Sequence, residues 1–224
     1  ALHWALSLGF WITRIPGKFR DYRKNQAHKK QRQYREEGLR YWLQSNLGQS
    51  QYLFAYAGKE EGHNQDLDYL CAAYCALYRE DPAPEDATTY LEKINDKTKH
   101  LSQKRTLQAK IEQLRGKYHL AMEYLEHIPP AQQTPLSQEL REALFVDTQQ
   151  WQEAEAYLDT LVRKNPKKIS AWLIDKVMQQ QLIQNRPQST IQLFEALPQN
   201  IRTLPNLFGH YAHALHDAQQ TDRA

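Results

Sequence analysis

The chain has 224 residues, 25% of them charged and 41% hydrophobic, with 11% aromatics, eight Gly and ten Pro. That is too polar for a multi-span membrane protein, too apolar for disorder throughout, and too poor in Gly and Pro for collagen-like or all-β readings. The formal net charge is +3, but it is unevenly placed.

Residues 1–13 (ALHWALSLGFWIT) carry no Asp, Glu, Lys or Arg. As a helix, twelve apolar-rich residues reach about 18 Å, short of the roughly 30 Å hydrocarbon core of a bilayer. The stretch therefore reads as the C-terminal end of a transmembrane helix, with Trp4 and Trp11 of interfacial character. A signal peptide fits badly, because the positive charge follows the apolar run. From Arg14 to Arg35 nine basic residues face one acid, Asp21, a net of +8, which leaves −5 for the rest. Arg14, Lys18, Arg20, Arg23, Lys24, Lys29 and Lys30 are the expected contacts to an anionic membrane surface. Positive flanks stay cytoplasmic, so the body is expected on the cytoplasmic side. Nucleic acid is not an expected partner: the segment has no recognised motif, and the body behind it is acidic.

Residues 36–224 read as a series of helix pairs. The first, 36–58, breaks near Gly48, and Gly58 to Asn64 forms a polar loop. The second, 66–95, breaks at Pro82-Ala83-Pro84. Pairs over 103–128 (closed by Pro129-Pro130), 136–164 and 169–197 follow, and Leu204 starts another unit. Two segments align: Gly116–Leu125 and Gln149–Leu158. Tyr118 and Trp151, Ala121 and Ala154, and Leu125 and Leu158 are each 33 residues apart. Ala87 and Leu91 continue the series backward, then Leu53 and Ala57; Ile191 and Leu197 continue it forward. A repeat near 34 residues, with Ala where helices approach closely, is the signature of the tetratricopeptide repeat. The expected fold is all-α: a helical-repeat superhelix over 36–224, preceded by a basic juxtamembrane helix (14–35) and the end of a transmembrane helix (1–13).

Candidate chemistry is sparse. Cys71 and Cys75 lie at i, i+4 and lack nearby partners for a four-ligand metal site, so packing is their expected role. His210, His213 and His216 recur every third residue. His210 and His213 are the candidate haem ligands, but Phe208, Tyr211, Ala212 and Leu215 define a core stripe that would send the histidines to solvent. No paired-carboxylate site, activated nucleophile or P-loop is present, so neither enzyme activity nor a bound metal or cofactor is expected. What remains is the concave groove that stacked repeats create for a protein partner. By repeat position Tyr69, Arg79, Gln103, Lys110, Gln113 and Glu139 should face it.

Three stretches carry a family resemblance. Arg14-Ile15-Pro16-Gly17-Lys18-Phe19-Arg20 resembles the membrane exit of bacterial HemY proteins. Glu37-Gly38-Leu39, Leu43 and Gly48 resemble the start of their first repeat. Ala196-Leu197-Pro198, Leu204-Pro205, Tyr211-Ala212 and Ala214-Leu215 are similar to their C-terminal half. The likeness covers nearly the whole chain and departs at Pro84, where an aromatic is usual. It implies an inner-membrane protein with two N-terminal spans, a cytoplasmic repeat domain and no established catalysis, associated with haem (porphyrin) biosynthesis and so with partners among its late enzymes. The alternatives are a tetrapyrrole carrier using the terminal histidines, or an adaptor for envelope or lipopolysaccharide assembly. The flavin-dependent oxidase that shares the family name is excluded, because no G-x-G-x-x-G occurs here.

Overall fold

The computed structural model describes the backbone of residues 2–60 and 64–218, and side chains from residue 22 within those ranges except Lys167. Among the described residues all regular structure is helical. The chain divides into two compact units, residues 1–137 and 138–224, within the stretch that the sequence reads as one repeat domain. The first holds α1 (Leu2–Leu43), α2 (Leu47–Lys59), α3 (Gln65–Tyr78), α4 (Pro84–Leu91), α5 (Leu101–Leu114) and α6 (Tyr118–Glu126). α7 (Pro135–Asp147) contributes its first turn to that unit. The second holds the rest of α7, then α8 (Trp151–Lys164), α9 (Ala171–Ile183), α10 (Pro187–Ala196), the single turn α11 (Gln199–Arg202) and α12 (Pro205–Asp217). α4, α7, α10 and α12 open on a proline, whose fixed φ suits the first turn and whose missing N–H costs nothing there.

The chain reverses by one recurring device. α1–α2, α5–α6, α7–α8 and α9–α10 are joined by three-residue turns whose middle residue is left-handed: Ser45, Gly116, Gln149 and Asn185. In each, the N–H of the third turn residue donates to a carbonyl five residues back: Asn46 to Tyr41, Lys117 to Glu112, Gln150 to Phe145, Arg186 to Gln181, all at 2.8–2.9 Å. This paired pattern satisfies the orphan carbonyls at a helix end and turns the chain back on itself. Gln149, not Thr148, stands in the place of Gly116, and the turn forms without a glycine. The α3–α4 connection (residues 79–83) is two residues longer.

The second helix of every pair repeats a packing code. Its fourth residue is small and fully buried: Ser50, Ala87, Ala121, Ala154 and Thr190, all 0% exposed. The eighth position is a large apolar side chain (Phe54, Leu91, Leu125, Leu158, Phe194), and the eleventh is Ala57, Ile94, Ile128, Leu161 or Leu197, all buried. A small residue lets the backbones close up; a large one a turn later gains about 2 kcal/mol of burial. Ser50 satisfies its hydroxyl on the Gly38 carbonyl (2.9 Å), and Thr190 on Gln181 Oε1 (3.2 Å). The first pair thus falls in a different register from the expected one: Ser50 and Phe54, not Leu53 and Ala57, are the equivalents of Ala87 and Leu91. Its break also lies at Gln44–Asn46 rather than Gly48, because Asn46 caps α2 by accepting from Gln49 N–H (3.2 Å).

Candidate functional site

Within the first unit, α1, α3, α5 and the start of α7 frame an open slot of about 330 Å³. Its wall is Trp42, Leu67, Leu70, Cys71, Tyr74, Leu107 and Leu136, and its polar lining is His100, Gln103, Thr106 and Thr134. Among the described residues no Asp, Glu, Lys or Arg lines it. An aromatic ladder stiffens one side. Trp42 stacks on Tyr74 (5.2 Å, 27°), Tyr74 stacks on Tyr78 (4.4 Å, 20°), and the Lys110 ammonium sits 5.7 Å from the Tyr78 ring centre. Trp42 also meets Phe54 edge-on at 5.9 Å. Rings held this way offer large, ordered contact area. Leu67 at the mouth is 38% exposed. Burial, with Cys75 and Asp68 nearby, pushes the Cys71 thiol up to about 12, so it is a neutral part of the wall.

The expected groove residues divide. Gln103 lines the slot, and Lys110 ends its ladder while donating to Gln113 Oε1 at 2.8 Å. Glu139 is exposed on α7, in the second unit. Tyr69 does not face the slot: it is 9% exposed, its ring is packed onto Gly58, and Lys93 lies 5.2 Å over it. Arg79 caps α3 and donates to the Asp81 carbonyl and to Gln51 Oε1 (3.1 Å), in a separate hollow beside the α1–α2 turn. The cause is the longer α3–α4 connection. The hydrogen bond from Ala83 N to Ala76 O takes the place of that from Lys117 N to Glu112 O. The first helices therefore match at an offset of 36 residues, not 34, so Leu67, not Tyr69, is the equivalent of Gln103, and Tyr74 is the equivalent of Lys110. Sequence reasoning missed Trp42, Leu67 and Tyr74; the extra length between Tyr78 and Pro84 was the available signal.

A second hollow, about 310 Å³, lies between α4, α5 and α6 and is charged. Its groups are largely engaged with one another. Buried Lys104 donates to the Ile94 carbonyl (2.8 Å) and to Asp96 (2.6 Å), whose carboxyl is held below its usual range by that bond. Arg115 bridges Glu112 and Glu85, both at 2.8 Å. These pairs fasten α4 to α5.

Of the expected membrane-surface residues, Arg23, Lys24, Lys29 and Lys30 are exposed on α1. Arg14, Lys18 and Arg20 lie outside the residues whose side chains are described, as do the side chains of the apolar 1–13 stretch. Among the described residues no helix is long and apolar enough to cross a membrane.

The core face of α12 is Leu207, Ala214 and Leu215, with Tyr211 packed against it. Phe208, expected there, is 54% exposed, and the stripe is turned by one residue. His210 is consequently half-buried, with Nε2 3.2 Å from Asp175 Oδ1 on α9. His213 and His216 are exposed beside Asp217. Cys75 is buried with its sulfur 3.5 Å from Ser50 Oγ, and both thiols are free. Among the described residues no group of three or more His, Cys, Asp or Glu is placed to hold a metal ion.

No protein-family model, curated protein or solved structure matches this chain.

Proposed function

We infer that the chain is a membrane-tethered adaptor of tetratricopeptide type, whose first-unit slot holds a segment of a protein partner. The observation that carries this reading is the slot itself: an uncharged apolar cleft walled by Trp42, Leu67 and Tyr74, with Leu67 left open to solvent. Soluble surfaces rarely leave aromatic and aliphatic side chains aligned in a concavity without a ligand to cover them. The repeating small-then-large code of the second helices supports the repeat type. The exposed basic residues of α1 suit an anionic inner-membrane surface, with the body on the cytoplasmic side. The resemblance to HemY proteins supplies the biological setting, haem (porphyrin) biosynthesis, and the candidate partners, its late enzymes.

A photo-crosslinking amino acid at Gln103 in the full-length protein, activated in its native membrane, tests this. The expected product is a crosslink to an enzyme of porphyrin metabolism that Leu67→Asp abolishes. A crosslink to envelope-assembly proteins would move the setting while keeping the adaptor. Crosslinks unaffected by Leu67→Asp would remove the slot as the docking site.

A further inference from the structure

The cations of α1 are set around the helix and not along one side of it. Gln31 marks the side that meets the body: it is 3% exposed, and its amide donates to Asp68 on α3 at 2.9 Å. At about 100° per residue, Lys24 lies about 20° from that direction, Arg32 about 100° to one side, Arg23 and Lys30 about 80° and about 100° to the other, and Lys29 about 160° away. All five are exposed, and Arg32 also pairs with Glu36 one turn on. Residues 22–35 contain no Asp or Glu. A helix lying flat on a bilayer needs an apolar face to bury and a charged face for the headgroups. Tyr22 and Ala27, the least polar side chains between 22 and 30, stand about 140° apart and form no such face. The near end of the body carries Glu60 and Asp66, both part-exposed, so an anionic surface would attract the helix ahead of the body and not the body itself.

We propose that α1 crosses the headgroup layer of an anionic bilayer end-on, with Arg23, Lys24, Lys29 and Lys30 meeting lipid phosphates on every side. This rests on the membrane-tethered reading and specifies the pose. Arg23 to Lys30 covers about 10 Å of helix, enough for a headgroup layer of roughly 5–8 Å. Gln31, the next residue, already belongs to the body, so no spacer separates the first unit from the surface. Its partner Asp68 adjoins Leu67, which places the mouth of the cleft at the end of the unit nearer the lipid.

Binding of the whole chain to vesicles of phosphatidylglycerol and phosphatidylcholine tests it. Lys24→Gln and Lys29→Gln, both at exposed positions, should keep the wild-type melting curve. Each should weaken binding by about fivefold, although the two side chains point nearly opposite ways. An environment-sensitive fluorescent amino acid, placed in turn at each position from 22 to 30, supplies the second measurement. Its quenching by aqueous iodide on these vesicles should change steadily along the series. Quenching that rises and falls with the helical repeat, or a loss confined to one of the two lysine variants, would show a helix lying flat. Either result would overturn the proposal and leave the membrane reading standing. Equal binding to vesicles of phosphatidylcholine alone would also overturn it, because headgroup charge would then play no part. Absence of binding to either vesicle would overturn both readings, and binding to duplex DNA in its place would assign the cations to nucleic acid.

Discussion

Arg35 grips Asp68 through two parallel bonds, Nε to Oδ1 and Nη2 to Oδ2, both 2.7 Å, joining α1 to α3 across the first unit. Gln31 adds a third donor to Oδ2 at 2.9 Å. Asp68 is 1% exposed and Arg35 28%, and the contact raises the guanidinium above its ordinary value. Removing one partner strands the other. Asp68→Ala should cost about 3 kcal/mol, whereas the apolar pair Arg35→Met with Asp68→Leu should cost much less than either single change. Urea midpoints of the three variants check this; additive losses would show that the pair is not the unit that matters.

Gly58 is a close-approach glycine. A Cβ there would stand 2.8–2.9 Å from three atoms of the Tyr69 ring. That ring is pinned by burial and by Lys93. Gly58→Ala should destabilise by about 2 kcal/mol, and Tyr69→Leu should remove most of the penalty in the double variant. Thermal melts of the cycle give the coupling.

The recurring turn offers a cleaner backbone test. Gly116 sits at φ +72°, and a Cβ added there would meet nothing within 4 Å, so Gly116→Ala probes conformation alone and should cost about 1 kcal/mol. Gln149→Gly, at φ +55° in the equivalent turn, should gain up to about 1 kcal/mol. Opposite signs at the two sites in denaturant titrations are the expected result.

Glu142 is 3% exposed on α7, at the place in its helix that Ala109 and Met178 fill elsewhere. Burial pushes its carboxyl above the usual range, against a weaker opposing bond from Ser170. A raised carboxyl favours the protonated form in the folded state. The stability this contributes is full below the ordinary value of 4.5 and is lost as pH rises through the folded value. Glu142→Gln should therefore stabilise the chain by about 1 kcal/mol at pH 7, with the advantage gone at pH 4. Melting temperatures across that range read it directly.

Cys71, pushed up to about 12, is roughly one ten-thousandth thiolate at pH 8. Labelling by a disulfide reagent should be negligible in the folded chain and complete in denaturant. Fast native labelling would mean that the α3 wall opens readily.

The sequence showed the pairs α5–α6, α7–α8 and α9–α10 almost to the residue, because their turns have equal length and Ala121 and Ala154 advertise the close approach. It failed where spacing changes. Two extra residues before Pro84 moved the α3 face from Tyr69 to Leu67 and Tyr74, and Ser50 fills the place of an alanine without resembling one. Trp42 was overlooked because its role depends on stacking against Tyr74, a neighbour 32 positions away. The α12 stripe slipped because Leu207 and Phe208 are both apolar, and only packing decides which turns inward.

α1 runs without interruption from Leu2 to Leu43, so Trp42 belongs to the same rod as Lys24, Lys29 and Lys30. Eighteen residues of helix separate Lys24 from Trp42, about 27 Å. The backbone between them is unbroken helix. A tilt or roll imposed at the charged end is therefore passed along the rod toward the indole, and so toward the cleft it helps to close.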